Sequence, residues 1–257
     1  MRTIKLTLCY DGAAYRGWQR QPGNRTIQDE VEQAILRITG EMNVVSGSGR
    51  TDSGVHALAQ VASFQTECKL PPPAIKKALN AELPNDIVVV DAAEAEPGFH
   101  ARKWAKRKRY RYVIHNSRTG DVFRRGTSWH YCYGKLDAEA MHRAAQHWRG
   151  THDFRSFESQ WPQRSSSVRT VLDIECRRLP EPTPKLICFE VEADGFLYNM
   201  VRTMVGTLIE VGRGRKPETW TRDILTAGDR RSAGMKVPAQ GLFLLSVCYD
   251  DPPASSS

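Results

Sequence analysis

The strongest constraint on this chain is a change of hydrophobic period that occurs twice along it. Ile4, Leu6, Leu8 and Tyr10 alternate with Lys5, Thr7 and Cys9, which is the two-residue period of a strand with one buried face. Past the turn residues Asp11-Gly12, Thr26 precedes Ile27, Val31, Ala34, Ile35 and Ile38. That stripe has helical spacing, and Asp29 and Glu30 stand in the first turn, where the helix dipole favours acids. A helix over about 26–39, stopped by Gly40, is predicted. Pro71-Pro72-Pro73 opens a second helix with Ile75, Ala78, Leu79 and Leu83 on one side, and Pro84-Asn85 leads into a strand from Ile87 to Val90.

The alternation then begins again. A strand through Tyr110, Tyr112 and Ile114 precedes a helix from Asp137 to Trp148, with Leu136, Ala140, Met141, Ala144 and Trp148 as its stripe. Ile187, Phe189, Val191 and Ala193 mark another one-sided strand, which ends at Asp194-Gly195. A long apolar helix is expected from about Phe196 to Val211, stopping at Gly212. Segments 158–170 and 179–185 read as polar or Pro-rich loops, and 250–257 as a disordered tail. One-sided strands and amphipathic helices bury their apolar faces against each other. This predicts an α+β chain of two similar halves, 1–105 and 106–249, each a mostly antiparallel sheet with helices on one face, around a central basic cleft. In 257 residues each half can hold a core of its own. The six cysteines form no C-x-x-C pair, no His stands at metal-ligand spacing, and there is no apolar signal core or membrane-length stretch. The expectation is therefore a cytoplasmic protein with free thiols, no metal and no membrane partner.

The formal charge of +8 suggests a polyanionic partner. Its location is more informative than its size. Arg102 to Arg111 carries seven positive residues (Arg102, Lys103, Lys106, Arg107, Lys108, Arg109, Arg111) and no acid, and taking those seven from eight leaves +1 over the other 247 residues. Trp104 and Tyr110 interleave the block, which runs directly into Tyr112-Val113-Ile114. It therefore reads as part of a folded surface rather than a solvated tail.

Gly47-Ser48-Gly49-Arg50-Thr51-Asp52-Ser53-Gly54-Val55-His56 is the densest local oddity in the chain. Its glycines miss the dinucleotide spacing and no Lys-Ser/Thr pair follows, so a phosphate-cradling loop fits poorly. What remains is a tight turn presenting one carboxylate, with Arg50 nearby to favour its ionised form. The plainer reading is an Asx turn, or a cap on a helix starting near Ser53. Tyr110 is either core or a ring that stacks on an unpaired base while its neighbours Arg109 and Arg111 hold phosphates. On the helix after Gly195, Arg202 falls at the rim of the apolar arc, about 20° past Ile209. There it either pairs with an anion or snorkels to the surface.

These residues carry a resemblance. Gly49-Arg50-Thr51-Asp52-Ser53-Gly54-Val55-His56-Ala57 is similar to the signature loop of the TruA family of tRNA pseudouridine synthases, departing at Ser53, where the usual form has Ala. Tyr10-Asp11-Gly12, Tyr15-Arg16-Gly17-Trp18-Gln19-Arg20-Gln21, Phe99-His100-Ala101-Arg102 and Lys108-Arg109-Tyr110-Arg111-Tyr112 resemble further family motifs in the same order. So do His152-Asp153-Phe154-Arg155-Ser156-Phe157, Phe196-Leu197-Tyr198-Asn199-Met200-Val201-Arg202 and Gly241-Leu242-Phe243-Leu244. The resemblance implies the pseudouridine synthase fold, with Asp52 as the catalytic aspartate, Tyr110 packing on the target base and taking the C5 proton, and Arg202 pairing with the aspartate. It also implies a homodimer that needs no metal or cofactor and converts uridine to pseudouridine at positions 38, 39 and 40 of the tRNA anticodon stem-loop. On this reading the substrate contacts are Arg50, Arg102, Lys106, Lys108 and Arg109 beside Tyr110. The competing readings are a non-catalytic RNA-binding or RNA-chaperone module using the same basic cleft, and a hydrolase with Asp52 as nucleophile. The hydrolase would call for Mg²⁺ and further acids that the loop does not offer.

Overall fold

A computed structural model describes residues 1–159 and 166–250. The expected 250–257 tail lies outside the described residues from 251 onward, as does the middle of the expected 158–170 loop. The chain divides into two units, Met1–Arg107 together with the stretch from Leu244, and Lys108–Phe243. The first carries β1 (Arg2–Tyr10), α1 (Ile27–Thr39), β2 (Ser46–Gly47), β3 (His56–Thr66), α2 (Pro72–Glu82) and β4 (Ile87–Ala95). The second carries β5 (Arg107–Asn116), β6 (Trp129–Tyr131), α3 (Ala138–Gln146), β7 (Gly150–Asp153), β8 (Val168–Arg178), β9 (Leu186–Ala193), α4 (Met200–Gly212) and α5 (Trp220–Ala227). The last strand, β10 (Leu242–Cys248), rejoins the first unit from Leu244 on. Both units are α+β.

In the first unit the strand order is β4-β1-β3-β10, with β2 paired to β3. β1 is antiparallel to both β3 and β4. Its even residues Ile4, Leu6 and Leu8 are fully buried, as are Ile27, Val31, Ala34 and Ile35 of α1 and Ile75 and Leu79 of α2. Each of the Val, Leu and Ile side chains among them contributes about 1.5–3 kcal/mol through lost contact with water. α1 begins and ends where its sequence predicts: Thr26 Oγ accepts from the Asp29 N–H at 3.4 Å, and the Gly40 N–H donates to Leu36 O from a left-handed conformation, φ 74°. α2 ends at Glu82 because Leu83 precedes Pro84 and is forced extended, with ψ 149°. β4 outruns its predicted end at Val90 and continues to Ala95, because β1 supplies partners as far as Ala95.

In the second unit β5, β9, β8 and β7 form an antiparallel sheet, and β6 lies parallel to the end of β5. Period-two alternation gives this sheet two unlike faces. Tyr110, Tyr112 and Ile114 on β5 pair with Val191, Phe189 and Ile187 on β9, next to Ile174 and Cys176 on β8, and all are buried. The opposite face is a ladder of charge. Arg109 pairs with Glu192 (3.0 Å) and Asp173 (2.8 Å), and Arg111 with Glu190 (2.8 Å). Two expectations are corrected here. The loop read over 158–170 gives way to strand from Val168, and α4 starts at Met200 rather than near Phe196. The second shift has a local cause: Asn199 sits left-handed at φ 63°, so the backbone turns there and Phe196 to Tyr198 stay outside the helix.

Candidate active site

Asp52 stands in the turn between β2 and β3, and residues from elsewhere hold that turn in shape. Gln60, fully buried on β3, accepts from Ser48 Oγ (2.6 Å) and donates through its amide to Gly49 O (2.9 Å) and the Tyr10 hydroxyl (3.4 Å). That hydroxyl is in turn 2.9 Å from Thr51 Oγ. Burial pushes the Tyr10 phenol up to about 12, so it keeps its proton at neutral pH and remains able to donate. From the other side, the Trp18 N–H donates to Thr51 O (3.0 Å), and both Ser53 Oγ (3.2 Å) and the Gly54 N–H (3.3 Å) donate to Tyr15 O. The hydroxyl at position 53, where the resembled loop has Ala, thus adds a bond to the brace. The Gly12 N–H donates to Nδ1 of buried His56 at 3.1 Å.

The 10–19 segment can come this close only because it lacks side chains at two points. A Cβ on Gly12 would lie 2.0 Å from Val55 O, and one on Gly17, whose φ is +87°, would lie 2.5 Å from Thr51 O and 3.0 Å from the Asp52 carbonyl carbon. The outcome is a half-buried carboxylate on a fixed backbone. No helix follows Ser53, since the chain enters β3 at His56, and the helix-cap reading of Asp52 is therefore corrected. Sequence inspection missed Gln60, Thr51 and Tyr10 as the framework of this turn. The signal available was the Tyr10-Asp11-Gly12 and Tyr15-Arg16-Gly17-Trp18 motifs, whose glycines mark the close approach.

In the second unit Tyr110 is 7% exposed and its ring meets Phe196 edge to face, with centroids 4.9 Å apart. Arg202 is half-buried and held at two points: Nε donates to Val237 O (2.8 Å) and Nη1 to Asn199 Oδ1 (3.0 Å). This is a positioned guanidinium, not a snorkelling one. Burial drives the Tyr112 phenol far above its ordinary value, and the Arg202 cation draws it part of the way back.

The expected RNA contacts occupy different environments. Arg50 is exposed and donates from Nε to Gln19 Oε1 (3.0 Å). Arg102 and Lys106 are exposed, and Lys108 is half-buried and shares the Tyr110 face by alternation. Arg109 and Arg111 lie on the other face, engaged by Asp173, Glu190 and Glu192. The image of Tyr110 flanked by two phosphate-holding arginines is corrected by the period-two geometry that turns them away from it. Among the described residues, no group of three or more His, Cys, Asp or Glu is gathered to hold a metal ion, and no helix is long and apolar enough to cross a membrane.

Comparison with known proteins matches residues 8–102 and 144–250 to a family described as tRNA pseudouridine synthase. A tRNA pseudouridine synthase A of Acetivibrio thermocellus is 45% identical over 249 residues, covering 97% of this chain and 100% of the relative. The enzyme of that name from Moorella thermoacetica is 47% identical over 252 residues, with coverage of 97% and 100%. That of Myxococcus xanthus is 43% identical over 255 residues, with coverage of 99% and 95%.

Proposed function

The chain belongs to the tRNA pseudouridine synthase family, and from that premise we propose that Asp52 is the carboxylate with which it isomerises uridine at positions 38, 39 and 40 of the tRNA anticodon stem-loop. The observation that carries this reading is the braced turn: Gln60, Tyr10, Thr51 and Trp18 hold one carboxylate-bearing backbone in place. The reaction breaks the N1–C1′ bond, turns the freed uracil and joins C5 to C1′. The proton leaving C5 is balanced by one gained at N1, so the net reaction needs no oxidant and no net proton. An ionised Asp52 serves by attacking C1′, by adding to C6 or by removing a ribose proton. Tyr110 packs on the displaced base and takes the C5 proton, and Arg202 supplies the cation that keeps the aspartate ionised in a site closed to water. The enzyme acts in the cytoplasm as a homodimer.

The test is incubation with unmodified tRNA transcripts, followed by chemical mapping of pseudouridine. Modification confined to positions 38–40 is expected. No modification at any uridine overturns the catalytic reading and leaves a binding module, and modification elsewhere overturns the choice of target. A second expectation concerns the basic block, where Lys106→Ala combined with Lys108→Ala removes two cations. If both meet phosphates, the slope of log affinity against log salt flattens by about 1.4–1.8. A slope equal to that of the wild type across the titration shows that neither lysine faces RNA.

A further inference from the structure

One aromatic residue in the basic block has no part in the roles assigned above. Trp104 is 40% exposed, whereas Ala101 three residues earlier is fully buried. The segment bearing it is pinned along its length. The Phe99 N–H donates to Glu96 O (3.0 Å), the Ala101 N–H to Ser63 Oγ (3.1 Å), the Trp104 N–H to His100 O (3.1 Å) and the Lys106 N–H to Cys248 O (2.9 Å). The Tyr249 hydroxyl donates to Ala101 O at 2.8 Å. Beneath the indole, Phe99 meets it edge to face with centroids 5.5 Å apart and lies 5.1 Å from the Tyr249 ring. The Lys5 ammonium stands 5.9 Å from the Phe99 centroid and 5.7 Å from that of Tyr249. The indole is therefore fixed at its base and open to solvent above.

A single exposed aromatic is ordinary on a protein surface. This one differs in two ways. Fixing it costs little on binding, because the loop and the rings below already hold it in place. It also stands between exposed Arg102, Lys103 and Lys106, in a stretch with no acid from residue 97 to residue 120. A rigid aromatic face among cations matches an unpaired base with phosphates on either side, whereas an apolar protein partner would leave those cations without counter-charge. On the basis that tRNA is the substrate, we propose that Trp104 is a stacking platform for an unpaired nucleotide of that RNA. It is a specificity contact separate from the residues that handle the target uridine.

Full-length Trp104→Ala, assayed with an unmodified tRNA transcript, is expected to raise KM about tenfold, the size of one lost base-stacking contact, while kcat stays within about twofold. Trp104→Phe keeps a ring and is expected to restore most of the affinity. A merely structural indole would instead lower Tm and kcat together, and that pattern overturns the proposal. A second readout does not depend on turnover: titration with the same transcript quenches tryptophan fluorescence more strongly in the wild type than in Trp104→Phe. Equal quenching in the two proteins, or an unchanged KM in Trp104→Ala, also overturns it. If the wild type forms no pseudouridine, the assigned reaction fails, yet the quenching comparison still decides the stacking contact.

Discussion

Asp52→Asn is expected to bind tRNA with the affinity of the wild type and to lose at least about a thousandfold in kcat, because every route open to the proposed mechanism begins from an ionised carboxylate at this position. The amide has nearly the same shape, and the bonds to the backbone oxygens of Thr51 and Asp52 and to the hydroxyl of Thr51 do not depend on the group that is replaced. Shape and chemistry are thereby separated. Filter binding measures the first and chemical mapping of pseudouridine on the same samples measures the second. Retained turnover would remove Asp52 from the mechanism. A parallel loss of binding and turnover would point to a collapsed loop.

Gly17→Ala is the complementary change, since it leaves every reactive group in place and moves the support. The new methyl would fall 2.5 Å from Thr51 O, and Gly17 already sits at φ +87°. Left-handed strain adds about 1–2 kcal/mol and overpacking about 1–3 kcal/mol, which corresponds to a fall in Tm of about 4–20 °C. Displacement of the Asp52 peptide by about 1 Å costs on the order of a hundredfold in kcat. Gly40→Ala separates the two contributions. Gly40 has a similar φ of +74° at the end of α1 but nothing within 4 Å of the added carbon. It should show the strain in Tm and leave kcat unchanged. Equal kcat in the two variants would mean that the 10–19 segment does not set the geometry of Asp52.

Much of the architecture was legible in the sequence where one face of an element is apolar and the other is not. β1, α1, α2, β5, α3 and β9 all follow from that contrast. β3 was not, because His56–Thr66 carries three alanines and is buried on both sides over most of its length, so no alternation survives. β8 escaped for a different reason. A register shift between Val171 and Asp173 breaks its period, leaving Leu172 exposed between buried Val171 and Ile174. The start of α4 was misplaced because Phe196 and Leu197 continue the apolar stripe, and only the left-handed backbone at Asn199 ends it. In the candidate site, Asp52 drew attention because glycines crowd around it. Gln60 did not, since a glutamine in a strand carries no local sign that its amide reaches Gly49 and Tyr10. The ion pairs of Arg109 were hidden in the same way. A run of cations read along one strand says nothing of the acids on its neighbours, and it is Asp173, Glu190 and Glu192 that decide where Arg109 points its charge.

The brace on the Asp52 turn also governs when a working site exists during synthesis. Gln60 and Tyr10 are separated by 50 positions in the chain, yet their side chains meet. The turn therefore cannot take its final form when residues 47–56 first emerge. It must wait until β3 has emerged and zipped onto β1, a non-local closure that is slow relative to the folding of α1. The proposed catalytic acid is present early, while its geometry is among the later products of folding the first unit. A peptide cut to the Gly47–His56 loop should therefore have the sequence signature and none of the activity.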